Sequence, residues 1–285
     1  EFEDLVSNEE VLVTLTASDK IKRIDIDEYR VQKRGGKGVK GAASVEEDFI
    51  RDIVHTGTLS TLLVFSDKGK VYWTKVHKLP QGSRTSKGKA VVNVININKE
   101  KVQAVLPVAE FQDDKYVVMI TKKGIIKKTP LSAFSKPRPS GIIALTTDLD
   151  DDLLSAKISD GKSDAFICTK KGMSIRFSES DVRAMGRTAR GVKGITLSKD
   201  DEVVGLEVFA KEAPGNVLIV TEGGYGKRTA VTEYRQQSRG GVGVITQKTA
   251  GKIGSVVTCR SVLDSDDIVV ATDQGQTIRM GCDGI

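Results

Sequence analysis

Val117-Val118-Met119-Ile120-Thr121-Lys122-Lys123-Gly124-Ile125-Ile126-Lys127-Lys128 sets the architecture of this chain. A four-residue apolar run, a polar turn ending in glycine and a second short run closed by cations read as strand, turn, strand. Runs this short between turn residues suit half-buried strands, not helices of ten or more residues. The turn recurs as Ser66-Asp67-Lys68-Gly69, Thr169-Lys170-Lys171-Gly172, Thr221-Glu222-Gly223-Gly224 and Thr272-Asp273-Gln274-Gly275. An earlier copy, Thr16-Ala17-Ser18-Asp19, has Asp in place of Gly, and Asp is one of the few other residues that tolerates a left-handed backbone. Positions 19, 69, 124, 172, 224 and 275 differ by 50, 55, 48, 52 and 51. A period near 50 is that of a propeller or an array.

The first strand of each unit falls at Val11–Leu15, Leu62–Phe65, Val117–Ile120, Phe166–Cys168, Leu218–Val220 and Ile268–Ala271. A run with cations follows, such as Ile21-Lys22-Arg23. The apolar runs Val91–Ile97, Val102–Leu106 and Val203–Val208 supply further strands, about four per unit, which makes a blade. Such a blade cannot bury both faces alone, so neighbours must stack into a ring or solenoid. The expected fold is one all-β domain over residues 1–285, with repeats at about 11–58, 59–110, 115–160, 164–210, 216–263 and 267–285. Only ten residues follow Gly275, so the sixth repeat is incomplete.

A second element keeps step with the first. Asp19 to Gly38, Gly69 to Gly88, Gly172 to Gly191 and Gly224 to Gly243 are each 19 residues apart, and Gly124 to Gly141 is 17. Arg34, Arg84, Arg187 and Arg239 stand four residues before their glycines, and Arg138 three before Gly141. Acids avoid these stretches. Lys68 to Lys99 holds eight Lys or Arg and no acid, and Lys115 to Thr147 holds seven. The acids collect at Glu46-Glu47-Asp48, Asp113-Asp114, Asp150-Asp151-Asp152, Asp200-Asp201-Glu202 and Asp266-Asp267. A single Lys-rich turn only keeps an exposed strand soluble. Repeated in register around a ring, the segregation is expected to gather cations on one edge and anions on another. A formal charge of +6 would then become a basic belt for a polyanion.

The first loop is the most basic. Arg30 to Lys40 carries five cations and no anion, around Gln32-Lys33-Arg34-Gly35-Gly36-Lys37-Gly38. Its glycines let backbone N–H groups approach a phosphate, and Arg can hold one bidentately. This segment resembles, at every position, the seven-residue box of the C-terminal DNA-wrapping domain of the gyrase A family. The degenerate versions Ser83-Arg84-Thr85-Ser86-Lys87-Gly88, Gly186-Arg187-Thr188-Ala189-Arg190-Gly191-Val192 and Gln237-Ser238-Arg239-Gly240-Gly241-Val242-Gly243 extend the resemblance over the chain. It implies a six-bladed β-pinwheel whose adjacent blades exchange strands, with duplex DNA wrapped on its rim for ATP-dependent negative supercoiling by a topoisomerase, an isomerase. The implied contacts are Arg30, Gln32, Lys33, Arg34, Gly35, Gly36, Lys37, Gly38 and Lys40, then Arg84, Lys87, Lys89, Arg138, Arg187, Arg190, Lys193 and Arg239. The Pro-rich loop Ser135–Gly141 departs most from the pattern. The implied partners are double-stranded DNA, the remainder of the gyrase A protein and the gyrase B protein. ATP and magnesium serve the holoenzyme, and no cofactor is expected here. The corresponding protein of topoisomerase IV, which usually lacks an intact box, is the alternative, followed by a propeller scaffold for proteins.

Other chemistries find little support. Gly36-Lys37-Gly38-Val39-Lys40-Gly41 matches a dinucleotide fingerprint only formally, since the repeat makes it a β-loop. His55 and His77 have no ligand spacing, and Cys168, Cys259 and Cys282 are far apart in sequence, so no metal or disulfide framework is indicated. Trp73 and the phenylalanines read as blade packing. No nucleophilic or paired-carboxylate constellation is visible, so the chain is expected to be non-catalytic. No run approaches a membrane span, and the resemblance implies a monomeric domain in the bacterial cytoplasm, at the nucleoid.

Overall fold

The computed structural model describes residues 5–26, 39–40, 48–273 and 276–285, with backbone alone at 39–40 and 276–278. The first unit contains β1 (Glu10–Thr16), β2 (Lys20–Asp25), β3 (Val39–Lys40) and β4 (Ile50–Gly57). The second contains β5 (Thr61–Ser66), β6 (Lys70–Lys75), β7 (Lys89–Ala90) and β8 (Val102–Val108). The third has β9 (Tyr116–Thr121), β10 (Ile125–Pro130), β11 (Ile142–Ile143) and β12 (Leu153–Ser159), and the fourth β13 (Asp164–Thr169), β14 (Met173–Ser178), β15 (Val192–Lys193) and β16 (Val203–Phe209). The fifth has β17 (Asn216–Thr221), β18 (Gly226–Ala230), β19 (Val244–Ile245) and β20 (Val256–Val262), and the chain ends with the hairpin β21 (Asp267–Ala271) and β22 (Gln276–Gly281). The fold is all-β and propeller-like, with five blades and a further terminal sheet.

Each blade is laced to the next. The sheet orders β4-β1-β2-β7, β8-β5-β6-β11, β12-β9-β10-β15 and β16-β13-β14-β19 place the two-residue strand of one unit on the outer edge of the preceding unit's sheet. The fifth sheet, β20-β17-β18, has three strands, and the terminal hairpin takes β3 of the first unit, with Gln276 opposite Lys40 and Thr277 opposite Val39. The strand exchange implied by the resemblance is thus present.

The hairpin turns form as their residues dictate. Asp19, Gly69, Gly124, Gly172 and Gly224 all have positive φ, from 57° to 88°. At Gly172 (φ 85°) a Cβ would stand 1.9 Å from the Gln247 carbonyl oxygen, so both backbone conformation and the neighbouring unit demand glycine. The Ser or Thr three residues earlier closes the turn: Thr16, Ser66, Thr121 and Thr169 Oγ accept from the amides of Lys20, Lys70, Ile125 and Met173 at 3.1 to 3.3 Å.

The cores lie between sheets. Along β5, Leu62 and Val64 face the first unit while Leu63 and Phe65 face the third. Along β9, Val117 and Met119 point one way and Val118 and Ile120 the other; on β13, Ala165 and Ile167 divide in the same way from Phe166 and Cys168. The expectation of half-buried strands is therefore corrected. Stacking covers both faces of these strands, which is why they read as continuous apolar runs. Burying each large side chain contributes about 1.5–3 kcal/mol, so the adhesion between blades comes from this alternation. The expected strand at Val91–Ile97 is also corrected. Val91–Asn93 is a 3-10 turn and irregular backbone follows, although Val91, Ile95 and Ile97 are buried. Cys168, Cys259 and Cys282 are free and buried.

The innermost strands surround a central cavity of about 670 Å³ lined in part by Arg51, Asp52, Lys157 and Arg260. Its charges are paired: Arg260 reaches Asp52 at 3.3 Å across the junction of the fifth and first units, and Lys157 reaches Glu207 at 3.2 Å.

Candidate nucleic-acid interface

The loops 81–88, 135–141, 186–191 and 237–243 each run directly into the outermost strand of a sheet, so the topology places them at equivalent sites on the rim. Gly88, Gly141, Gly191 and Gly243 have φ of 71°, 70°, 91° and 78°. A Cβ on Gly243 would lie 2.2 Å from the Ser174 carbonyl oxygen, so the loop comes this close to the preceding unit only because the residue is glycine. Adjacent loops are stitched together. Thr146 Oγ1 donates to Thr188 O at 2.8 Å, and Thr196 Oγ1 to Gly240 O at 2.7 Å.

Lys87, Lys89, Arg138 and Lys193 are exposed and make no ion pair among the described residues. Arg190 is exposed and pairs with Asp148. Arg84, Arg187 and Arg239 are half-buried, and Arg239 donates to Asp181 O at 3.2 Å and Lys193 O at 2.7 Å, bracing its loop on the preceding unit. Arg30, Gln32, Lys33, Arg34, Gly35, Gly36, Lys37 and Gly38 lie outside the described residues, and Lys40 is described in its backbone only.

Two cations missed as functional lie beneath these loops. Lys22 Nζ, on β2, donates to Ser83 O (2.7 Å), Arg84 O (3.1 Å) and Ser86 O (2.6 Å) of the next unit. Lys127 Nζ, on β10, donates to Ala144 O (2.8 Å), Arg187 O and Ala189 O (3.0 Å). Tyr72 occupies the same register in the second unit, with its hydroxyl on Glu100 Oε2 at 2.6 Å. One residue further on, a second donor staples each blade to a 3-10 turn of the next. Arg23 Nε reaches Leu79 O (3.2 Å), Trp73 Nε1 reaches Phe134 O (2.8 Å), Lys128 Nζ reaches Glu179 O (3.0 Å) and Arg176 Nη1 reaches Tyr234 O (2.9 Å).

These contacts correct the expected separation of charge. Of the seven bases between Lys115 and Thr147, Lys127 and Lys128 are buried, and the hairpin-turn residues Lys122 and Lys123 pair with Asp152 and Asp150. Lys68 of the second unit also reaches Asp152, at 2.9 Å, and Lys170 lies 3.9 Å from Glu202. Acidic turns thus neutralise the hairpin-turn lysines Lys68, Lys122, Lys123 and Lys170, whereas Lys87, Lys89, Arg138 and Lys193 of the rim make no ion pair among the described residues.

Burial, and then the nearby Arg187 guanidinium, push the Lys127 ammonium down to about 8 from its usual 10.5. The unfolded chain then holds the extra proton between those values, so this residue's contribution to stability improves as pH rises from about 8 toward 10.5. The difference in urea midpoint between the native chain and Lys127→Met is expected to grow in favour of the native chain over that window. A pH-independent difference would refute the burial of a charged amine.

Among the described residues, no cluster of three or more metal-ligating side chains occurs and no helix is long and apolar enough to cross a membrane. The family model described as DNA gyrase C-terminal domain, beta-propeller, matches residues 10–55, 60–109, 115–160, 163–210, 215–262 and 266–285. The DNA gyrase A protein of Staphylococcus aureus (strain NCTC 8325 / PS 47) is 42% identical over 282 residues, covering 98% of this chain and 32% of that protein. Its counterpart from strain COL gives the same values. The chain therefore spans about a third of the length of these curated relatives. A solved DNA gyrase A C-terminal domain superposes with a TM-score of 0.84 at 28% identity, over 97% of this chain and 91% of that one. The C-terminal domain of a DNA topoisomerase IV superposes at 0.75 with 25% identity, over 98% and 86%.

Proposed function

Because the chain belongs to the DNA gyrase C-terminal domain family, we propose that it is a DNA-wrapping domain, non-catalytic by itself, that bends duplex DNA around its rim. The observation that carries this reading is the repetition of an Arg-and-Gly loop at the same outer station of four successive sheets, in series with the intact box Gln32–Gly38. Residues 1–285 form one domain in this reading. The β21-β22-β3 sheet is its sixth blade, which closes a pinwheel, and the match of the family model to 266–285 supports that count. The contacts are the box residues with Arg30 and Lys40, then Arg84, Lys87, Lys89, Arg138, Arg187, Arg190, Lys193 and Arg239.

Loops that offer cations and amides but no reading helix grip phosphates and distinguish bases little. Bending a 20–30 bp site by 40–90° costs roughly 1–6 kcal/mol, which phosphate contacts spread over several blades offset. A positive wrap feeds a distal segment of the same DNA across the cleavage gate in one sense. The remainder of the gyrase A protein and the gyrase B protein, using ATP and magnesium in the bacterial cytoplasm, then introduce negative supercoils. This chain itself needs no cofactor and works as a monomeric unit. Similarity to the topoisomerase IV domain admits that enzyme as the alternative, and the intact box favours gyrase.

The test is to relax a closed circular plasmid in the presence of the chain, remove the protein and measure linking number. A positive shift is expected; no shift would leave simple binding or scaffolding. Affinity for linear duplex is expected to fall by about 0.9 log units per log unit of salt for each phosphate neutralised. A flat salt response would point to another partner.

A further inference from the structure

Successive units back their neighbours' rim loops with different chemistry. Lys22 lies under loop 81–88 and Lys127 under loop 186–191, each with its ammonium on three carbonyl oxygens. In the second and fourth units the same register holds Tyr72, whose ring lies 2.6 Å from where a Cβ of Gly141 would stand, and Ile175, which lies 3.6 Å from that of Gly241. On the rim strands the second position is Ala90, Ile143 (46% exposed), Lys193 and Ile245 (71%), and Lys89 is exposed at the first position of its strand.

The carbonyls of Ser83, Arg84 and Ser86, and of Arg187 and Ala189, all point at a buried ammonium. Peptide planarity turns the following N–H the opposite way. The amides of Thr85 and Lys87, and of Thr188 and Arg190, therefore face away from it, and none donates to another group among the described residues. Outward amides over a positive charge make a concavity for an anion. Resting on the DNA-wrapping reading, we infer that loops 81–88 and 186–191 are phosphate cradles pre-set by the buried ammonium groups of Lys22 and Lys127, a support that loops 135–141 and 237–243, backed by Tyr72 and Ile175, lack. Lys22 and Lys127 touch no DNA in this arrangement. They are positioning residues, and the field of each ammonium adds to the phosphate's attraction.

A bound phosphate adds a negative charge above Lys127 and so favours its protonated form. The other charged groups around Lys127 are Arg187 and, farther along the same loop, Arg190 with its partner Asp148; Met119 on the neighbouring strand and Val192 on the rim strand are apolar. Titration of linear duplex into the 285-residue chain at pH 8.5, by calorimetry in two buffers of different ionisation enthalpy, is expected to show uptake of about half a proton. Lys127→Met is expected to abolish most of that uptake and to weaken binding about tenfold, and Lys22→Met to weaken binding by a similar factor. A merely structural lysine would leave no proton signal. The inference is overturned if the native chain takes up no proton, a result that stands even if a variant fails to fold, or if folded variants bind as the native chain does. A native chain that binds no duplex at all would instead bring down the wrapping reading itself.

Discussion

Alanine in place of Gln32 through Gly38 is expected to abolish the positive linking-number shift while the thermal melt of the chain stays cooperative. The replaced segment carries Lys33, Arg34 and Lys37 and the three glycines Gly35, Gly36 and Gly38. Removing three cations takes about 2.7 log units per log unit of salt from the binding slope if each neutralises one phosphate. Removing the glycines also takes away the close approach of backbone amides. Wrapping is more sensitive than binding, because the duplex must stay bent while it is gripped at both ends of the arc; the other rim loops would still hold DNA locally. Val39 and Lys40, which pair with β22, are left unchanged so that the terminal sheet keeps its third strand. A plasmid whose linking number still shifts with this variant would remove the box from the wrapping path. Supercoiling by enzyme reassembled with the variant is expected to disappear in parallel.

Glu179→Leu is expected to destabilise the fold by about 3–5 kcal/mol, the cost of stranding a buried cation. Glu179 is buried, accepting from Ser159 Oγ at 2.9 Å and from the Ser163 amide at 3.0 Å, with Lys128 Nζ 3.6 Å from Oε1. Without the carboxylate, Lys128 keeps the Glu179 carbonyl but loses its counter-charge, and the Ser163 amide loses its acceptor. Combining Glu179→Leu with Lys128→Met is expected to cost much less than Glu179→Leu alone, since the buried charge leaves with its partner. Urea midpoints for the two single variants and the double variant measure this directly. A loss below about 1 kcal/mol for Glu179→Leu would mean that the pair is solvated in solution.

The blades were legible because a glycine or aspartate in the left-handed region every fifty residues leaves few other architectures, and the strands predicted around it all lie within β1, β5, β9, β13, β17 and β21. The rim loops were legible through their constant distance from the turn. The role of Lys22 and Lys127 was not. A lysine after an apolar run reads as the solvent end of a strand, and the carbonyls that cage it lie about sixty residues on, where no local pattern reports them. Val91–Ile97 misled for a related reason. Apolar side chains can be buried between two sheets, as Val91, Ile95 and Ile97 are, without their backbone pairing, so hydrophobicity alone does not make a strand. The exchanged strands are two residues long, too short to signal, and came from the resemblance rather than from the residues.

Lacing has a topological cost and a benefit. In an ordinary tandem array a unit can be clipped out and its neighbours re-docked. Here the chain crosses to an adjacent sheet and back in each of units two to five, so excising one unit strips an edge from the sheet before it and orphans a strand of the unit after it. By the same geometry, a protease that nicks a single rim loop leaves both pieces held by ladder hydrogen bonds on either side of the cut, and the ring keeps its shape as a nicked but undissociated whole.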